Sequence, residues 1–241
     1  MILCIDAGNS LVKWGSARDG QWLAQGRVAH ADIPRLAERW QGFGVPQKVV
    51  ISNVAGEKVR SALNVLFVRW RLNPVWISAS EAQCGIRNGY EQPGQLGSDR
   101  WAAMIAAWER VGGACVVVGA GTALTADALS SDGEFIGGAI MPGFRLMLDA
   151  LARKIPQLSA PSHGALRIFP SNTADAVQTG VRLAMAGMVD RMRDSLQNKT
   201  NGSVACIVSG GGAEELRGLL PGDSQFVDNL VLEGLLRIAQ S

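Results

Sequence analysis

Three clusters in this 241-residue chain hold residue types that could carry chemistry. The first is Asp6-x-Gly8-Asn9-Ser10-x-x-Lys13, which comes after the apolar run Met1-Ile-Leu-Cys-Ile5. A carboxylate at a strand end can hold Mg²⁺ through water, because this hard cation keeps much of its hydration shell. Gly8 opens a turn in which backbone N–H groups can approach an oxyanion, since no Cβ stands in the way. Asn9 and Ser10 can donate hydrogen bonds to phosphate oxygens, and Lys13, alternating outward on the next strand, adds a positive charge. The same residues also suit an ordinary Asp–Gly hairpin turn with a surface lysine, and this motif alone leaves both readings open.

The second cluster is Gly119-Ala-Gly121-Thr122-Ala-Leu-Thr125-Ala-Asp127. Its opening resembles a dinucleotide-binding fingerprint, but Leu124 occupies the third glycine position. Residues 123–129 alternate like a strand and open no helix, so that reading fails. The third cluster is Tyr90-x-x-Pro93-x-x-Leu96-Gly97-x-Asp99-Arg100-Trp101. Asp99 stands before an Ala-rich helical stretch, where it could be a simple N-cap with Arg100 in solvent. A cap alone would place no demand on the spacing from Tyr90 to the Asp-Arg pair. A further glycine cluster, Ser209-Gly-Gly-Gly212, also comes directly after a strand-like run.

The elements around these clusters recur. Residues 1–5 and 11–17 read as strands, Arg18-Asp-Gly20 as a hairpin turn and 21–28 as the returning strand. Helical spacing comes next at 33–40, then a strand at 48–54, a helix at 58–70, a strand at 75–78 and a helix at 100–110. The pattern then restarts. Strand 115–118, the turn at Gly119–Thr122, strand 123–129, the Ser131-Asp-Gly133 turn and strand 134–141 repeat the opening. Helices are expected at 145–153, 174–197, 213–219 and 230–239, and strands at 204–208 and 225–227. At an offset of 113 (119 − 6), Asp6 falls on Gly119, Leu11 on Leu124, Asp19-Gly20 on Asp132-Gly133, and Trp22 on Phe135. One large supersecondary unit is therefore repeated once. The expected fold is α/β, two duplicated domains at 1–112 and 113–241, each a mixed sheet flanked by helices. Gly112-Gly113 marks the boundary.

Composition narrows the function classes. Apolar residues make up 47% of the chain, enough for a packed core. The net charge is only +2 and no basic block dominates, which argues against a nucleic-acid partner. The longest uncharged run, 111–126, is too short and too Gly-rich for a membrane span. The N-terminus lacks a basic n-region and carries Asp6 within its apolar stretch, unlike a signal peptide. The two histidines, His30 and His163, leave little room for His-based metal or triad chemistry. Cys4, Cys84, Cys115 and Cys206 form no C-x-x-C pair and read as reduced thiols in a cytoplasmic protein.

Taken together, these motifs resemble the type III pantothenate kinases. The resemblance rests on Asp6-x-Gly-Asn-Ser-x-x-Lys13, the Tyr90–Trp101 block, Gly121-Thr-Ala-x-Thr125 and Gly137-Gly-Ala-x-x-Pro-Gly143. Asn172-Thr173, Ser209-Gly-Gly211 and Leu230-Val-Leu-Glu-Gly-Leu235 add to it, so that it spans nearly the whole chain. The Tyr90–Trp101 block is its specific part; the first turn alone would point only to the wider actin-like ATPase superfamily. The resemblance implies duplicated actin-like (ribonuclease H-like) domains with an ATP cleft between them. It also implies ATP-dependent phosphorylation of pantothenate to 4′-phosphopantothenate, the first step of coenzyme A synthesis.

By the same resemblance, Asp99 is the general base, with Arg100 beside it keeping the carboxylate ionised. Tyr90, Gly97, Ser98, Asp99, Arg100 and Thr173 match the pantothenate site. Thr173 acts there from the neighbouring subunit of a homodimer. Asp6, Ala7, Gly8, Asn9, Ser10, Leu11, Val12 and Lys13 match the first phosphate motif, Gly121 and Thr122 the second, and Ser209–Gly212 the adenosine turn. Mg²⁺ would enter with ATP, near Asp6 through water. The family's second phosphate motif usually begins with an aspartate linked to K⁺ or NH₄⁺. Gly119 supplies no carboxylate, so a weakened or lost requirement is expected, the alternative being another oxygen ligand such as Asp127. Two rival functions are a transcription accessory protein built on this fold and another small-molecule kinase of the superfamily. Intact Asp6, Lys13, Asp99 and Arg100 argue against the first, and the Tyr90–Trp101 block against the second.

Overall fold

A computed structural model describes residues 1–68, 70–155, 158 and 164–241. Arg69, at the end of one expected helix, and His163 lie outside the described residues. The chain divides into two compact units, Met1–Arg110 with Asn229–Ser241, and Val111–Asp228.

The first unit opens with β1 (Ile2–Ala7), β2 (Leu11–Arg18) and β3 (Gln21–Ala29). A 3₁₀ turn (His30–Arg35) and the one-turn helix α1 (Leu36–Arg39) stand where a single helix over 33–40 is expected. Pro34 lies inside this stretch and cannot donate to a helical ladder, which accounts for the break. Then come β4 (Lys48–Asn53), α2 (Glu57–Val68), β5 (Val75–Trp76), the short hairpin β6 (Ala82–Gln83) and β7 (Ile86–Asn88), and α3 (Ser98–Val111). The five-stranded sheet runs β3-β2-β1-β4-β5. β1 pairs antiparallel with β2 and parallel with β4. The β2–β3 turn holds Asp19 and Gly20 at φ 51° and 81°, as a tight Asp-Gly hairpin requires. Leu3, Ile5, Val12 and Ile51 from the sheet pack with Trp14, Trp40, Leu63 and Phe67 in the core.

The second unit repeats this plan. It contains β8 (Cys115–Ala120), β9 (Ala123–Leu129), β10 (Glu134–Pro142), α4 (Phe144–Lys154), α5 (Thr173–Gln197), β11 (Ala205–Ser209) and β12 (Gln225–Phe226). Its strands run β12-β11-β8-β9-β10. β8 pairs antiparallel with β9 and parallel with β11. This is the connectivity of β3-β2-β1-β4-β5, so the repeat expected from the sequence is present in the fold. Asn172 caps α5 by accepting from the Asp175 N–H. The helix buries Val181, Met185 and Val189, at helical spacing, against Val116, Leu124 and Ala126. The helix expected over 213–219 is only a 3₁₀ turn, Ala213–Leu216, with Gly218 at φ 78° just beyond it.

The division differs from the expected 1–112 and 113–241 at its end. α6 (Leu230–Gln240) belongs to the first unit. Its apolar face, including Leu232, Leu235 and Leu236, is buried. Lys48 on β4 donates to the Ala239 carbonyl at 2.7 Å, capping the helix C-terminus. On α3, Arg110 and Glu109 pair with Glu233 and Arg237. Gly234 packs so closely on the Ala102 carbonyl of α3 that no Cβ fits there. The last stretch of chain thus supports α3, whose first turn carries the Asp-Arg pair. All four cysteines are unbridged; Cys4, Cys115 and Cys206 are buried as expected, whereas Cys84 is only partly buried. Burial pushes the thiols of Cys4 and Cys115 up to about 12, so both stay protonated.

Candidate active site

The first phosphate-type turn lies between β1 and β2. Asp6 is the penultimate residue of β1, in register with Lys13 on β2 and Ser52 on β4. The Gly8 N–H donates to the Leu11 carbonyl at 3.1 Å and closes the turn. Asn9, Ser10 and Leu11 are exposed at its tip, while Ala7 and Val12 are buried at its base. Asp6 Oδ1 is buried without a hydrogen-bond partner. Burial raises the Asp6 carboxyl to about 7; the Asp99 charge adds to the rise and Lys13 opposes it. Asp6 is therefore acted on by the charge of Asp99 and, in the opposite sense, by that of Lys13.

The Asp99 side of the site is built by α3. Ser98 is the first helical residue, and its Oγ lies 2.8 Å from Ser52 Oγ in a buried hydrogen bond. That bond fastens the start of α3 to the end of β4, one strand from Asp6. Asp99 is not an N-cap. It sits inside the first turn, where Oδ1 accepts from the Arg100 N–H at 2.8 Å, while the Gly97 carbonyl accepts from the Trp101 N–H. A Cβ on Gly97 would come within 2.7 Å of Asp99 Oδ1, so the glycine leaves room for the carboxylate. Arg100 is buried rather than solvated, at 9% exposure. Its Nη1 donates to the Tyr90 hydroxyl at 3.3 Å, and its guanidinium lies 5.9 Å from the Tyr90 ring centre. Tyr90 is itself held, its N–H donating to Asn88 Oδ1. Tyr90, Gly97, Ser98, Asp99 and Arg100 thus form one cluster.

The remaining expected residues lie in the second unit. Gly119, at the end of β8, is in register with Thr125 on β9 and Ser209 on β11. This is the position of Asp6 between Lys13 and Ser52 in the first unit. The Gly121 N–H donates to the Ala123 carbonyl at 3.0 Å, closing a turn one residue tighter than that at Gly8. Gly121 and Thr122 are both exposed. Two other glycines brace this turn: Gly143 donates to the Thr122 carbonyl at 2.9 Å and Gly212 to the Ala120 carbonyl at 2.8 Å. Gly210, at φ 110°, approaches Ala120 too closely to carry a Cβ. The Ser209–Gly212 turn is thus packed on the Gly119–Thr122 turn. Thr173 is exposed at the start of α5. Asp127 is buried in the middle of β9.

Sequence reasoning misses three contributors. Ser52 has no motif around it, and its partner Ser98 becomes visible only when β4 and α3 come together. His30, whose Nε2 lies 2.9 Å from the Gly8 carbonyl, has sequence neighbours that suggest no chemistry. In the second unit a cavity of about 460 Å³ is lined by Phe144, Gln178, Arg182 and Glu215, among others. There Arg182 pairs with Glu215 and donates to Gln178 Oε1 at 2.7 Å. Among the described residues no group of three or more His, Cys, Asp or Glu is placed to hold a metal. A lone buried carboxylate oxygen on Asp6 fits Mg²⁺ carried mainly by a nucleotide's phosphates and by water. No described helix is long and apolar enough to cross a membrane.

The chain is similar to known proteins in sequence and in fold. The sequence model of the type III pantothenate kinase family matches residues 2–195. A protein of Nitrosospira multiformis named type III pantothenate kinase is 46% identical, with all of this chain and 91% of that protein aligned. Among solved structures, one from Campylobacter jejuni, described as a Baf family transcriptional activator, has a TM-score of 0.62 at 23% identity, covering 99% of this chain and 97% of its own. Another from Sinorhizobium meliloti, described as a 2-dehydro-3-deoxygalactonokinase, has a TM-score of 0.61 at 13% identity, covering 100% and 98%. The fold is thus that of the two-domain actin-like ATPases and sugar kinases, as expected.

Proposed function

The chain belongs to the type III pantothenate kinase family, and we propose on that ground that it transfers the γ-phosphoryl group of ATP to the primary hydroxyl of pantothenate. The products are 4′-phosphopantothenate and ADP. The observation that supports the residue assignment is the buried Ser52–Ser98 hydrogen bond, which ties the first turn of α3, with Asp99, to the strand position in register with Asp6 of the phosphate-type turn. Phosphoryl transfer asks the protein for position and charge neutralisation more than for covalent chemistry. Asp99 accepts the hydroxyl proton as the oxygen–phosphorus bond forms and the bond to ADP breaks. Arg100, held by Tyr90, stands next to that carboxylate in the chain and orients polar groups of pantothenate. The Asp6–Lys13 turn receives ATP phosphates on its backbone and on Lys13, and Gly121 and Thr122 serve the same purpose in the second unit. Mg²⁺ entering with ATP would supply further charge neutralisation, and Asp6 would be the residue to hold it.

Three further assignments belong to this reading. The protein is a cytoplasmic homodimer, with Thr173 completing the partner's pantothenate site. An active monomer at working concentration would remove Thr173 from the site. Gly119 weakens or abolishes a requirement for K⁺ or NH₄⁺. The deciding experiment is ATP consumption measured with pantothenate, with glucose and with no acceptor. Turnover with pantothenate alone supports the kinase. Turnover with glucose would indicate a sugar kinase, and none with either acceptor would leave the regulatory role suggested by the Campylobacter jejuni neighbour's name.

A further inference from the structure

His30 is the first residue after β3, and its Nε2 lies 2.9 Å from the Gly8 carbonyl. A carbonyl oxygen only accepts, so Nε2 carries the proton and donates. The Gly8 N–H is already committed to Leu11. Both backbone polar groups of Gly8 are then fixed. The peptide plane between Gly8 and Asn9 is rigid and trans, with its C=O and N–H pointing in opposite directions. Holding the carbonyl toward His30 therefore aims the Asn9 N–H to the opposite side, at the exposed tip of the turn.

The second unit makes an equivalent brace by other means. Gly143 is the first residue after β10, at the same offset in the repeat that relates Asp6 to Gly119. Its backbone N–H donates to the carbonyl of Thr122, the residue aligned with Asn9. In each unit, then, the residue directly after the third strand holds a carbonyl of the turn between the first two. The second unit uses a backbone N–H, and the first uses an imidazole. An N–H recruited twice from the same place in a duplicated fold points to a demand of the turn rather than to chance packing.

We propose that His30 is a positioning residue for the first phosphate turn, donating its Nε2–H to Gly8 so that the turn's N–H groups face a nucleotide phosphate. This rests on the reading of that turn as an ATP phosphate site. His30→Ala removes the donor. His30→Gln places an amide nitrogen within similar reach and restores it.

The test measures affinity for a non-hydrolysable ATP analogue with Mg²⁺ by calorimetry, alongside steady-state kinetics. His30→Ala should weaken the analogue and raise KM for ATP about tenfold, the scale of one lost hydrogen bond in a partly buried site. KM for pantothenate should not move, and His30→Gln should recover most of the loss. Wild-type affinity in His30→Ala, or equal damage in two folded variants, would overturn the proposal. If His30→Ala does not fold, ¹⁵N-histidine NMR of the wild type decides, since the chain has only two histidines. A neutral ring protonated at Nε2, with a resonance that moves when the analogue binds, supports the brace. A ring protonated at Nδ1 alone, with no proton on Nε2, overturns it. Wild-type protein that does not bind the analogue would overturn the kinase reading instead, a result distinct from a defect confined to the variants.

Discussion

Ser52 Oγ and Ser98 Oγ share a buried hydrogen bond of 2.8 Å that ties the end of β4 to the first turn of α3. Ser52 is also in register with Asp6. One bond therefore sets the strand bearing the phosphate turn against the helix bearing Asp99. Ser52→Ala and Ser98→Ala should each lower stability by about 1 kcal/mol and turnover several-fold, because each leaves a buried hydroxyl without its partner. The double variant should be no worse than the worse single one. A double-mutant cycle in denaturation and in kcat reads this directly. Full additivity would mean that the bond couples nothing.

Asp99→Asn preserves shape and removes the proposed base. Turnover should fall about 10²–10⁴-fold, the usual contribution of general-base catalysis, with little change in the melting temperature. Near-normal turnover would reduce Asp99 to a structural acceptor for the Arg100 N–H.

Gly97→Ala tests the same carboxylate without touching it. The new Cβ would lie 2.7 Å from Asp99 Oδ1, so the carboxylate must shift. Small displacements of a reacting group can cost up to about 10²-fold in rate. We expect kcat to fall at least tenfold while affinity for the ATP analogue stays near normal. A fully active Gly97→Ala enzyme would show that the carboxylate position tolerates movement.

Asp6 gives the apo protein a defined pH dependence. Its carboxyl titrates at about 7 in the folded chain against 3.8 ordinarily, chiefly through burial. The unfolded chain gives up this proton first, so between about pH 4 and 7 the folded state binds more protons. Stability therefore falls as pH rises through that window. Asp6→Asn removes this part. Without nucleotide or Mg²⁺, the two proteins should melt closest together near about pH 4.5, and the variant should gain on the wild type by about pH 8. Parallel melting curves across that range would rule out a buried, raised Asp6. In kinetics, Asp6→Asn and Lys13→Ala should impair the use of Mg·ATP more than the binding of pantothenate.

Much of this site is legible in the sequence because its signals are local. Strand, glycine turn, strand and Asp-Gly hairpin recur at one offset, and the fold repeats at the same place. Tyr90, Gly97, Asp99 and Arg100 lie within a dozen residues, so their grouping needs no knowledge of distant packing. The rest depends on contacts between elements far apart in sequence. Nothing around Ser52 announces Ser98. Nothing in the spacing of α6 tells it to return to the first unit, because an amphipathic helix fits either sheet until Gly234 meets Ala102. Asp99 lies in the first turn rather than at the cap, and sequence alone does not separate the two, since an acidic residue suits both.

The last prediction concerns Gly119 and the monovalent cation. A carboxylate in this position could ligate a bare cation, and a glycine cannot. In the first unit the equivalent place holds Asp6, between Lys13 and Ser52; here Gly119 stands between Thr125 and Ser209. If this position faces a nucleotide, the negative charge there would be lower by one, so less would be lost when no cation is present. Turnover with pantothenate and excess Mg·ATP should be similar in Na⁺, K⁺ and NH₄⁺ at fixed ionic strength. Strong, saturable activation by K⁺ or NH₄⁺ would refute this and direct attention to other oxygens, Asp127 first. Gly119→Asp is the companion, but its Cβ would come 2.7 Å from Thr125 Oγ1. The threonine side chain must turn aside, so Gly119→Ala serves as the steric control. If the position faces the phosphates, Gly119→Asp should acquire K⁺ dependence that Gly119→Ala lacks. Equal loss of activity in both, unrelieved by K⁺, would show that the glycine is retained for space alone.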